Sequence, residues 1–185
     1  MSVSLRGARF DDGAPLDDAG RAAARAAAGA LPADARAVTG GSPRCRETAG
    51  ALGLDAAPAP QALAAQDMGR WRGRSLAEVS EAEPLEVARW LAEPDFAPGG
   101  GEPVAAVCAR VAGWLDAPEA DPARVVAVVE PEVVRAAVVH ALGAPASAFW
   151  RCDVAPLTVT ELSGRAGRWN VRLGRPLGSS GGTGG

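Results

Sequence analysis

Histidine is nearly missing from this chain: His140 is the only one in 185 residues, which excludes any chemistry needing two imidazoles in one pocket. Lysine is absent, so all 19 basic residues are arginine; with alanine abundant throughout, this reads as coding bias rather than a functional signal. The three cysteines, Cys45, Cys108 and Cys152, are odd in number, widely separated and without CxxC spacing. That pattern excludes a zinc site or redox dithiol and predicts small buried hydrophobes in a reducing cytosol. No metal or cofactor is expected. No run reaches the roughly 18 apolar residues of a membrane helix, and the opening MSVSLRGARFDDG lacks an apolar core of signal-peptide length, so a cytoplasmic protein is expected. The small net charge of −3 calls for neither a nucleic-acid nor a membrane partner.

What is present suits one globular domain. At 185 residues the chain is long enough to bury roughly 70% of its unfolded surface. Short β-branched runs alternate with alanine-rich helical patterns, which predicts α/β layering around a mainly parallel sheet. Strands are expected at Val3 to Leu5, Ala35 to Thr39 and Val125 to Val129, the last as a central strand buried on both faces. Helices are expected at about Ala19 to Leu31, Arg44 to Leu52, after Pro84, over Val104 to Leu115, and Glu132 to Leu142. Ser75 and Glu78 have capping-box spacing. Ala56 to Arg74, rich in Pro, Gly and Ala, reads as irregular. Val154 to Leu162 and Arg168 to Leu173 read as an antiparallel pair. A single domain over 1–174 is expected, followed by a disordered Gly/Ser-rich tail over 175–185.

Six segments, in order, carry a resemblance: APLDDAGRAAA, RCRETAGAL, DMGRWRG, PGGGEP, VVAVVEPEVVRAAVVHALGAP and FWRCDVAPLTVTEL. Together they resemble the histidine phosphatase superfamily, the phosphoglycerate-mutase-like fold, over nearly the whole chain to about Leu173. The resemblance implies a three-layer α/β/α sandwich with a mostly parallel sheet. In that family a histidine in an Arg-His-Gly loop attacks phosphorus. Arginines and a second histidine clamp the transferring group, and a carboxylic acid protonates the leaving oxygen.

Residue by residue, the resemblance implies a changed pocket. Leu5-Arg6-Gly7 stands where the family has Arg-His-Gly, Ala65 where an acidic proton donor usually stands, and Glu130 where the second histidine falls. Arg44, four residues before Thr48, is retained. A guanidinium is not a nucleophile at neutral pH, and a carboxylate at the phosphate position repels the substrate's charge, so ordinary phosphomonoesterase activity is not expected. Arg6 and Glu130 are expected in contact, as an ion pair replacing an imidazole pair.

Two readings stay open. In one, a repurposed pocket binds a small anionic carboxylate or phosphate through Arg6, Arg44, Glu102 and Trp71, with Glu130 as acid/base group. In the other, a non-catalytic pseudophosphatase acts through a protein partner. Plainer roles compete at each residue. Arg44 pairs with Glu130 or Glu102, Asp67 and Glu102 bond loop amides, Arg135 braces the Glu130 loop or is solvated, and the tryptophans other than Trp71 anchor the core. Cys45 is expected to be buried rather than reactive, and His140 to serve structure.

Overall fold

The structure, a computed structural model, describes residues 9–10, 13–117, 124–165 and 167–178. The expected Val3 to Leu5 strand, Arg6, and the tail from residue 179 lie outside the described residues. Among the described residues no helix is long and apolar enough to cross a membrane.

The chain begins its regular structure with α1, Asp18–Ala26, capped by Asp17, whose carboxylate accepts from the Gly20 amide at 2.7 Å. This helix ends earlier than the expected Leu31. Gly29 takes φ +77, a left-handed conformation that the right-handed helix cannot continue through. Strand β1, Arg36–Thr39, leads through Gly40 and Gly41 into α2, Pro43–Ala51, which has Ser42 as cap and Pro43 in its first turn. Strand β2, Ala56–Pro58, follows, then a 3-10 turn at Gln61–Leu63 and another at Gly69–Trp71. Next come α3, Leu76–Ala82, α4, Pro84–Ala92, and α5, Val104–Asp116. The capping box at α3 is complete: Ser75 Oγ accepts from the Glu78 amide, and the Glu78 carboxylate accepts from the Ser75 amide. Strand β3, Val125–Val128, precedes α6, Pro131–Ala141, and Gly143 (φ +61) stops that helix as expected. Strands β4, Thr158–Arg165, and β5, Arg168–Pro176, form the antiparallel pair. Strand β5 thus runs past the expected boundary at residue 174.

The architecture is the expected α/β fold with a parallel sheet, in the order β2-β1-β3 among the described residues. Both neighbours pair with β1 in parallel, in the register Ala37↔Ala56 and Ala37↔Val126. Two expectations need correction. The segment from Ala56 contains a strand, β2, whose three residues are held by β1 rather than by their own propensity. And β1, not β3, is the deeply buried strand: Ala37, Val38 and Thr39 are all buried, whereas Ala127 on β3 is exposed. Among the described residues β3 has a paired neighbour on one side only.

Side-chain alternation along β1 divides the layers. Val38 joins a core of Val104, Val107 and Val111 from α5 and Val133, Ala136 and Val139 from α6. Ala37 and Thr39 therefore face the opposite side, where α2 packs against the sheet with Cys45 and Ala49 buried. A second cluster gathers Met68, Trp71, Val79, Val87 and Trp90 around α3 and α4. The loop at 98–101 is glycine for a steric reason. Gly99 sits at φ +58, and a Cβ on Gly69 or Gly101 would run into the main chain of Gly99 or Asp67, so two turns pack backbone against backbone.

Candidate functional site

The site forms where two parallel strands end side by side. Thr39 on β1 is in register with Val128 on β3, and the Gly40 amide donates to the Val128 carbonyl at 2.8 Å. The two following loops are therefore neighbours, and each opens a helix: Arg44 lies in the first turn of α2, and Glu130 is the N-cap of α6. Ser42 locks them together. Its Oγ accepts from the Cys45 amide at 3.1 Å, capping α2, and donates to Glu130 Oε1 at 2.6 Å. This is the carboxyl end of the sheet, where open α/β folds place ligands.

Arg44 and Glu130 line a cavity of about 220 Å³. From α6 come Glu132 and Arg135, and from the irregular segment before α3 come Ala65, Gln66 and Met68. Arg9, Phe10, Trp90 and Trp150 also line the cavity. Arg9 and Phe10 are fixed against the turn before α3 by the Phe10 amide on the Arg74 carbonyl at 2.9 Å and by Arg9 Nη1 on the Gly73 carbonyl at 2.7 Å. Arg135 donates from Nε to the Cys152 carbonyl at 2.9 Å, with its guanidinium 5.4 Å from the Trp150 ring. It therefore braces the chain around Trp150 while also facing the cavity.

Three guanidiniums, Arg9, Arg44 and Arg135, thus share the cavity with two carboxyls. Burial pushes the Glu132 carboxyl above its ordinary value, and the nearby charge of Glu130 pushes it further, against opposition from its own backbone amide, the Gln66 amide and Arg135. The Gln66 amide donates to Glu132 Oε1 at 3.2 Å, and Gln66 Nε2 donates to the Glu102 carbonyl at 2.8 Å. The Cys45 thiol, behind Ser42, is pushed up to about 11, mainly by burial.

The structure brings only some of the expected site residues together. Glu130 and Arg44 meet at the cavity, with Ala65 on its wall. Arg6, and with it the expected contact to Glu130, lies outside the described residues. Glu102 is not among the lining residues; its carboxylate instead pairs with Arg110, Nε to Oε1 at 2.7 Å and Nη2 to Oε2 at 3.0 Å. Trp71 is also off the wall. It is fully buried, its indole N–H donating to Glu83 at 3.1 Å, and it packs edge-on against Trp90, which does line the cavity. His140 serves structure: its Nε2 lies 2.9 Å from Asp116 Oδ2, and Asp116 also accepts from the Trp169 indole at 3.1 Å. Asp67 accepts from the Gly69 amide at 3.0 Å, the loop role expected of it.

Lining residues not assigned to the cavity from sequence include Arg9, Glu132, Trp90 and Trp150. Glu132 had a visible signal, a second carboxylate two positions after Glu130 at a Pro-initiated helix start. Trp90 and Trp150 had none, since their helical spacing reads as core.

The chain matches the histidine phosphatase superfamily (branch 1) over residues 6–175. Among solved structures it is similar to the mycobacterial glucosyl-3-phosphoglycerate phosphatase Rv2419c in complex with inorganic phosphate, at 22% identity and TM-score 0.73, covering 94% of this chain and 93% of that one. It is likewise similar to Bacillus stearothermophilus YhfR, at 23% identity and TM-score 0.75 over 91% and 88% of the two chains. The Thermus thermophilus protein TTHB049 is 28% identical, with TM-score 0.60 over 77% and 79%. A search of curated proteins returned no match. With a family match spanning residues 6–175 and the site at the carboxyl ends of its parallel strands, this chain belongs to the histidine phosphatase superfamily, branch 1.

Proposed function

We propose that this protein uses the histidine phosphatase fold to bind a small anion without phosphohistidine chemistry, with Glu130 as the acid/base group and Arg44 as an anchor. The observation that carries this reading is the make-up of the cavity: Arg9, Arg44 and Arg135 line it with Glu130 and Glu132, and no imidazole is among the described lining residues. The one histidine is engaged by Asp116. A phosphohistidine route needs a ring nitrogen to attack phosphorus, and an arginine cannot replace it.

Anion binding follows from charge and from helix geometry. Among the described lining residues the guanidiniums outnumber the carboxyls, and a proton retained by Glu132 lessens the negative charge an incoming anion meets. The first turn of α2 adds the positive end of its dipole beside Arg44. The mycobacterial phosphatase of the same fold was solved with inorganic phosphate, an anion of the proposed class. Glu130, held by the Ser42 hydroxyl, is the carboxylate placed to accept a proton from a bound ligand.

A thermal-shift series with inorganic phosphate and with phosphorylated and carboxylated metabolites, run beside a p-nitrophenyl phosphate hydrolysis assay, tests this reading. A ligand at about 100 times its Kd adds about 2.7 kcal/mol, so stabilisation by one or more anions is expected, with no phosphatase turnover. Robust hydrolysis would overturn the absence of phosphohistidine chemistry. No stabilisation by any anion would overturn the small-molecule reading and favour a protein partner.

A further inference from the structure

The cavity has two unlike walls. One is charged, as described above. The other is apolar: Phe10, Met68, Trp90 and Trp150. Its rings are interlocked. Trp90 and Trp150 meet edge to face with centroids 4.6 Å apart, and Phe10 meets Trp90 edge to face at 5.6 Å. Met68 and Trp90 are both buried, so this wall is part of the packed interior and holds its shape.

Resting on the anion-binding reading above, we propose that the ligand of this cavity is an aromatic acid, a planar ring bearing a carboxylate or phosphoryl group, with the ring against Trp150 and Trp90 and the anionic group toward Arg44 and Arg135.

Three observations support this choice over a sugar phosphate or a bare ion. First, Arg135 belongs to both walls: it lines the cavity while its guanidinium lies over Trp150, so a ring and its attached anion are met by adjacent groups. Second, uncharged polar capacity suited to hydroxyl groups is scant. Among the described lining residues Gln66 is the sole uncharged polar side chain, and its amide nitrogen already donates to the Glu102 carbonyl. Third, the size fits. An apolar cavity of about 150 Å³ accepts benzene, so about 220 Å³ takes a ring with a small charged head. Trp90 adds an unmet demand, since its indole N–H is buried with no hydrogen-bond partner among the described residues.

Calorimetric titration of the full chain with phenylphosphonate, methylphosphonate and glucose 6-phosphate tests the proposal, because the first two share one head group and differ in the ring. Phenylphosphonate is expected to bind at least about tenfold more tightly than methylphosphonate, and more tightly than glucose 6-phosphate. Trp150→Ala is expected to cut that preference to below about threefold. Equal binding of the two phosphonates, or tighter binding of glucose 6-phosphate, overturns the aromatic ligand while leaving the anion site standing. Binding of none of the three overturns both. A full preference retained in Trp150→Ala overturns the seat on this wall. If that variant fails to fold, Met68→Ala serves in its place, and the wild-type ratio alone still decides the ligand class.

Discussion

Replacing Glu102 by glutamine tests how far the segment along the cavity depends on one ion pair. Arg110 on α5 holds the Glu102 carboxylate through two bonds of 2.7 and 3.0 Å, and its Nη1 donates to the Ala62 carbonyl at 2.6 Å. It therefore ties the 98–102 loop to the segment that ends at Ala65 and Gln66. The two side chains are 20% and 22% exposed, closer to a buried pair than to a surface one. Breaking a buried pair costs about 3–5 kcal/mol and an exposed one about 0–1, so a loss of about 2–3 kcal/mol is expected for Glu102→Gln. For a domain of this size that lowers Tm by about 4–12 °C. Glu102→Gln combined with Arg110→Met removes the stranded cation, so the double variant is expected to lose less than the two single losses added, with a coupling of at least about 1.5 kcal/mol. Urea unfolding of all four proteins, followed by tryptophan fluorescence, measures the cycle. A coupling below about 0.5 kcal/mol would refute the reasoning, because the pair would then be acting as a solvated surface contact.

Two further outcomes follow from the site. Glu132 binds its proton more tightly folded than unfolded, so the native state carries more protons between the ordinary glutamate value, about 4.3, and the raised folded value. Unfolding free energy should therefore fall as pH rises through that interval. Glu132→Gln should remove this part of the profile and be the more stable protein above it; parallel wild-type and variant profiles between about pH 4 and 8 would contradict the assignment. At Cys45, 4% exposed and with its thiol near 11, about one thiol in a thousand is ionised at pH 8, so iodoacetamide should label it only after denaturation. Rapid labelling of the native protein, located by peptide mass mapping, would show that the thiol is neither buried nor held protonated.

Where local rules governed, the sequence was readable. The Ser75–Glu78 capping box, the Gly143 stop and the helices after Pro43, after Pro84 and from Val104 rest on contacts between near neighbours in the chain, and each stands in the structure. The family resemblance likewise placed Arg44 and Glu130 at one cavity. What escaped depends on distant partners. Strand β2 exists because β1 offers it hydrogen bonds, and β3, whose apolar run resembles a strand covered on both faces, leaves Ala127 exposed. Trp71 and Trp90 have the same chemistry, and which of them reaches the cavity is decided by the packing of α4 against the 3-10 turn at Gly69–Trp71. Glu102 looked like a ligand contact because its motif borders the pocket in the family; its partner, Arg110, lies eight residues on, two turns along α5.

Ser42 has a single hydroxyl proton, and it is given to Glu130 while the same oxygen receives the Cys45 amide. Any loss of the hydroxyl therefore removes a hydrogen bond from the cavity carboxylate and the cap from α2 together. Alanine at position 42 confounds the two effects, whereas threonine, which keeps an oxygen able to do both jobs, separates hydroxyl chemistry from side-chain size. Cavity and helix are wired here through one rotor, so whatever displaces Glu130 is also felt at the start of the helix.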